Sequence, residues 1–109
     1  MTSSIKLLRS GYVVVRLPQP ILRMLKRICY RSTDLRPGER TDTHTHKFLS
    51  FYVVEHMELQ TRRGTLPLPG LALVIVLPSV LHGWAATNEP NDPSFVHDLT
   101  PMHGPHHVH

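Results

Sequence analysis

The chain has 109 residues, 40% hydrophobic and 18% charged, a balance that fits one folded domain with a single core and excludes a disordered chain. A lone cysteine, Cys29, excludes an intrachain disulfide framework and any multi-cysteine zinc module. The longest apolar run, residues 71–77, falls far short of the ~18 residues that a membrane-spanning helix needs.

The net charge of +4 hides an asymmetry. Residues 1–47 hold ten Lys/Arg against Asp34, Glu39 and Asp42, giving +7, whereas residues 48–109 hold Arg62 and Arg63 against five acids, giving −3. A basic half can steer anions over long range. With no aromatics interleaved among the arginines and no RNA-binding motif, it reads as a solvated basic surface. The chain does not open on a charged segment followed by an apolar stretch, so a secretory signal is not expected. A cytoplasmic protein with a reduced Cys29 and no membrane contact is expected.

In chain order, residues 11–16 (Gly-Tyr-Val-Val-Val-Arg) form a β-branched run stopped by Pro18 and Pro20, which predicts a strand. Pro20 suits a first helical turn, and Ile21, Leu22, Leu25, Ile28 and Cys29 follow at helical spacing opposite Arg23, Lys26, Arg27 and Arg31. The spacing predicts a basic surface helix over residues 20–30 that covers the core. Residues 1–34 are thus read as a basic N-terminal segment, a strand plus this helix or an extended stretch.

A turn signal at residues 35–39 (Leu-Arg-Pro-Gly-Glu) opens an all-β region over 35–99. Strands are predicted at 48–54, at 57–61 where polar and apolar residues alternate, at 71–77, at 80–86 and at 95–99. Breaks fall at Arg63-Gly64, at Pro67 to Gly70, at Pro78 and in the polar loop 88–93. Short strands at regular spacing with turn signals between them indicate a mainly β barrel or sandwich. Residues 100–109, rich in His, Gly and Pro, offer no packing material and read as a loosely attached tail.

Two histidine features carry possible chemistry. In His44-Thr45-His46 the imidazoles are two residues apart, so on a strand both point to one face. His82 follows an apolar strand and a proline turn and could close on the pair from a neighbouring strand. Neutral imidazole is the commonest metal ligand, and such a set suits zinc, iron, manganese or nickel. Hydrogen bonding inside a barrel is the alternative use of the same rings, and both stay open here.

At these residues the chain resembles the cupin superfamily. Gly38, His44, His46 and Gly64 fit its first motif, glycine, five residues and His-x-His running on to a later glycine; Gly70, Pro78 and His82 fit its second, which ends in Pro-x-x-x-His. Residues 62–84 look most like the N-terminal ligand-binding and dimerisation domain of AraC-type transcription regulators, and the resemblance covers about residues 35–99.

Three departures stand out. The first motif's Glu should fall near Ser50 or Phe51. If the strand runs regularly from His44, the even positions Ser50, Tyr52 and His56 share its face, and Glu55 points away. Leu71 stands where the family usually has Asp, and Ser79 where it has a turn glycine. Three imidazoles without a carboxylate can still hold zinc.

The resemblance implies a cupin-like jelly-roll β-barrel that senses a small molecule, such as a sugar, for transcription control. His44, His46, Tyr52, His82 and Trp84 are the expected ligand-binding residues, and His44, His46 and His82 the expected ligands of a divalent metal. No catalytic residue is assigned. Homodimerisation is implied by the family alone. Specific DNA contact is not expected from this chain, since residues 100–109 are too few for a recognition helix. The alternative is a small metal-dependent cupin enzyme, a dioxygenase or isomerase.

Overall fold

Alternation of buried and exposed positions sorts this chain into two antiparallel sheets. The computed structural model describes residues 4–8, 11–68, 70–87 and 94–100. Its elements are β1 (Ser4–Leu8), β2 (Tyr12–Arg16), α1 (Gln19–Arg27), β3 (Arg31–Leu35), β4 (Ser50–Glu55), β5 (Met57–Thr61), β6 (Gly64–Pro67), β7 (Leu71–Val76), β8 (Gly83–Ala86) and β9 (Ser94–Asp98). One sheet has the order β1-β2-β7-β4-β9-β3 and the other β6-β5-β8. The mainly β expectation is met.

The register shows which residues share the inner face. Tyr52 on β4 stands opposite Val74 and Asp98, and Val54 opposite Ala72 and Val96. Tyr12 and Val14 on β2 stand opposite Val76 and Val74. These apolar residues meet Met57, Leu59 and Trp84 of the smaller sheet in one core. Fully burying side chains of this size stabilises by roughly 1.5–3 kcal/mol each. The chain changes sheet at His56, the one residue between β4 and β5, which adopts φ 54°. Its N–H donates to the Gly70 carbonyl, and its own carbonyl accepts from Ser94 Oγ at 2.8 Å.

Several elements differ from the sequence-based expectation. The helix spans Gln19–Arg27, shorter than 20–30, and of its apolar stripe only Leu22 is buried; Ile21 and Ile28 stay exposed. A nine-residue helix resting on a sheet touches it along a narrow line. The polar run Arg31–Leu35, where no strand was predicted, is an edge strand on β9, where one outer side needs no apolar residues. β1 also went unpredicted, and it pairs with β2. The first 35 residues therefore contribute three strands to the same sheet as β4, β7 and β9. The strand expected over 80–86 is reduced to Gly83–Ala86. The loop 88–93 and the His-rich tail beyond Thr100 lie outside the described residues. Among the described residues no helix is long and apolar enough to cross a membrane.

Helix α1 is held to the sheet's outer face through Glu55. Lys26 Nζ lies 2.8 Å from Glu55 Oε2, and His97 Nε2 lies 2.7 Å from the same oxygen. Burial acts to raise the Glu55 carboxyl, but the hydrogen bonds and charges of Lys26 and His97 outweigh it, so Glu55 titrates below its ordinary 4.5. A carboxylate depressed on folding adds stability that is complete above 4.5 and is lost as the pH falls through the folded-state value. Glu55→Gln is therefore expected to flatten the dependence of stability on pH below about 4.5 relative to the parent. Urea denaturation between pH 3 and 6 measures this, where ~3 to 6 brackets the carboxylate range.

Candidate metal centre

The segment before β4 is not a regular strand, yet it runs antiparallel to the 82–86 stretch and is stitched to it. Arg40 pairs with Ala85 and His44 with His82. From the first bridge to the second the chain advances four residues on one side and three on the other, so the 40–44 side carries one extra residue, a β-bulge. Thr41 N–H donates to the Trp84 carbonyl at 2.8 Å, and Trp84 N–H donates to Thr41 Oγ1 at 2.9 Å. His44 and His82 then exchange both backbone hydrogen bonds, each 2.9 Å. The bulge packs tightly on Gly83, where an added Cβ would meet Thr43 Cγ2 at 3.1 Å and the Asp42 carbonyl at 3.2 Å.

The proline turn completes the frame. Ser79 has φ 65°, in the left-handed region, and its N–H donates to the His46 carbonyl at 2.6 Å. A non-glycine residue in this conformation costs backbone strain of about 1 kcal/mol.

This framework brings three imidazoles together. Ring centroids are 4.6 Å apart for His44–His46, 4.6 Å for His44–His82 and 5.3 Å for His46–His82. One ring nitrogen from each lies within 4.8 Å of the others. His82 is fully buried, and its Nδ1 sits 2.9 Å from the Val80 carbonyl. A carbonyl only accepts, so Nδ1 carries the proton and Nε2 the lone pair. Tyr52 Oη donates to that Nε2 at 3.1 Å. His44 Nδ1 likewise faces the Asp42 carbonyl, at 3.2 Å. The Nε2 of His46 is buried without a hydrogen-bond partner.

Burial pushes His82 down to about 4, with the Val80 hydrogen bond opposing and the neighbouring His44 and His46 adding to the shift. His46 is lowered by burial and by His44. Burial also pushes the Tyr52 hydroxyl up to about 12, which keeps it a donor. Near neutral pH the buried rings are thus uncharged, the form that binds metal.

A cavity of about 230 Å³ opens beside the cluster, lined by His44, His46, Tyr52 and Trp84 among others. The five residues singled out from sequence therefore gather in one place. Four line the cavity; His82 sits behind them. Tyr52 and Trp84 make an edge-to-face contact at 5.1 Å. His56, which strand parity puts on the same side, stands instead at the sheet corner and is not a lining residue.

Sequence reasoning missed Arg31, Thr33, Asp42 and Asp98, which also line the cavity. Asp98 faces inward because it stands opposite Tyr52. Burial raises its carboxyl, while a hydrogen bond from the Thr100 N–H and the charges of Arg31 and His44 pull it down. The signal was the alternation Ser94, Val96, Asp98 within the last strand. Ser50 is buried on the inner face of β4, and Glu55 points outward as parity predicts. No protein-family model and no curated protein matches the chain.

The residues present fit a divalent ion. Two Nε2 lone pairs are set by carbonyls behind the rings, as in many metal-binding histidines, and a third buried ring nitrogen has no partner. Because Val80 occupies His82 Nδ1, an ion would take Nε2 from the Tyr52 hydroxyl. Tyr52→Phe is accordingly expected to lower the stability of the chelator-treated protein by about 1–2 kcal/mol, since a buried acceptor loses its donor. The same variant should bind Zn²⁺ at least as tightly as the parent. Denaturation in chelator, followed by competitive zinc titration, measures both.

Proposed function

We propose that this chain is a cupin-type, small-molecule-binding module that holds a divalent metal on His44, His46 and His82. In this reading the two sheets are halves of a jelly-roll barrel, and the module is the sensing part of an AraC-like transcription regulator. It works as a homodimer in the cytoplasm, where the single Cys29 stays reduced. The observation that carries the reading is the convergence of three ring nitrogens within 4.8 Å, two with their tautomer set by a carbonyl and one buried without a partner.

A ligand set of three imidazoles suits zinc first, and leaves positions open for a ligand atom. When bound, the ion would act as a Lewis acid on an oxygen of the small molecule. The chain's own groups shape what enters. Trp84 and Tyr52 offer apolar ring surface, Arg31 a cation, and Thr33, Thr41 and Asp98 hydrogen-bonding groups. At about 230 Å³ the cavity is smaller than the roughly 300 Å³ at which drug-sized sites begin. A compact, hydroxylated or carboxylated molecule fits that space and that lining.

A second reading, a small metal-dependent enzyme, is favoured by Asp98, a carboxyl raised by burial that lines the same cavity. Such a group can hold or deliver a proton. Asp98→Asn separates the two readings: a sensor keeps metal-dependent ligand binding, and an enzyme keeps binding but loses turnover.

The metal itself is tested on the full chain by elemental analysis after dialysis against a buffer containing zinc. About one ion per chain is expected, retained when His103, His106, His107 and His109 are changed to Gln and lost in His44→Ala. Metal content that follows the four tail histidines, or that is unchanged in His44→Ala, would contradict the proposal.

A further inference from the structure

The outer face of the six-stranded sheet, opposite the histidine cavity, carries a second cluster of reactive groups. Ser32 Oγ lies 2.8 Å from His97 Nδ1, and His97 Nε2 lies 2.7 Å from Glu55 Oε2. Lys26 Nζ lies 2.8 Å from the same Glu55 oxygen, and Cys29 Sγ 3.2 Å from Ser32 Oγ. The register builds this line. Ser32 stands opposite His97 across β3 and β9; Val53 stands opposite His97 and Glu55 opposite Phe95 across β4 and β9. Glu55 and His97 are therefore diagonal neighbours on one face.

The acceptor and donor chemistry orders the protons. The Glu55 carboxylate, held ionised by Lys26, only accepts, so His97 Nε2 carries a proton and donates it. In the neutral imidazole Nδ1 then holds the lone pair, and the Ser32 hydroxyl donates to it. The Cys29 thiol in turn can donate to Ser32 Oγ. His97 is 7% exposed, whereas Ser32 is exposed. An accessible hydroxyl is thus bonded to a buried base, and the base is oriented by a carboxylate. That is the order of nucleophile, base and orienting group used in acyl transfer.

We propose that Ser32, His97 and Glu55 form a second reactive centre, in which Ser32 accepts the acyl group of small activated esters. Ser32 Oγ attacks the acyl carbonyl carbon as its proton passes to His97 Nδ1. The bond from that carbon to the leaving oxygen breaks, and the leaving group departs as an alcohol or phenol with the proton from His97. Water then attacks the acyl-serine, again giving a proton to His97. A carboxylic acid leaves, and the proton returns to Ser32. Glu55 is a positioning residue that fixes the imidazole tautomer. Ser32 lies at the surface and not within the cavity, so the acyl group is small. His97 is the one acid the relay supplies, with Lys26 engaged by Glu55, so the leaving group is an activated one. The centre stands apart from the metal reading and does not depend on it.

The test uses the full chain with p-nitrophenyl acetate and a small alkyl fluorophosphonate, in EDTA so that bound metal plays no part. Peptide mass mapping is expected to find a single adduct on Ser32, absent from Ser32→Ala. Labelling should slow roughly 100-fold or more in His97→Gln, the scale of lost general-base assistance. An adduct on Cys29, Lys26 or a histidine with none on Ser32 would overturn the proposal. So would labelling of Ser32 that is as fast in guanidinium as in the folded chain. Because His97 is buried, a second measurement avoids that substitution. In a Cys29→Ala background, Ser32→Cys should react with iodoacetamide at pH 7 at least tenfold faster than Cys29 does in the parent, and an equal or slower rate would overturn the proposal.

Discussion

The candidate centre depends on a pair of backbone hydrogen bonds. His44 and His82, 38 positions apart in the sequence, exchange N–H and carbonyl across an isolated bridge. That exchange is possible because one extra residue bulges between Arg40 and His44, and because Gly83 lets the bulge approach closely. Without the extra residue the segment would present its other face, and both His44 and His46 would turn away from His82. With it, three rings, the Tyr52 hydroxyl and the Val80 carbonyl all meet at one small cavity. The histidines are short side chains on a framework fixed by main-chain bonding, so their convergence needs no flexible loop closure.

Alternation along a single sheet also separates two chemistries. On β9, Asp98 faces the inner cavity and His97 the helix side. On β3, Arg31 lines the cavity and Ser32 bonds to His97. On β4, Tyr52 faces inward and Glu55 outward. Two-residue periodicity thus places an imidazole cluster on one face and an imidazole–carboxylate relay on the other, with a sheet of apolar residues between them. The relay also ties α1 to the sheet, which explains how a helix with one buried apolar residue stays docked.

Much of this was legible in the sequence. The run 71–77 is apolar and β-branched, and it is a central strand. The His-x-His pair and the histidine after the proline turn were sufficient to point to one another. Strand parity put Ser50 and Tyr52 inside and Glu55 outside, and the structure has them so, although the segment from His44 to β4 is neither regular nor a strand. The bulge lies upstream of His44 and leaves the later parity intact. What stayed hidden was decided by neighbours far away in the chain. Edge strands β1 and β3 form because β2 and β9 offer open hydrogen-bonding sides, and their own composition carries little strand signal. Asp98 and Arg31 became cavity residues through register, which no local pattern states. The helix stripe was only partly informative: its spacing is helical, but of its residues Leu22 alone is buried, and Ile21 and Ile28 stay exposed.

The central claim is that His44 and His82 both keep the lone pair on Nε2, with their protons held on Nδ1 by carbonyls. Long-range proton–nitrogen NMR correlation of the imidazole rings tests this in the metal-free full chain at neutral pH. The nine histidines are assigned with His44→Gln and His82→Gln variants. The account predicts a neutral His82, and for both residues a neutral tautomer that carries its proton on Nδ1. A neutral tautomer protonated at Nε2 in either ring, or an imidazolium at His82, would contradict it.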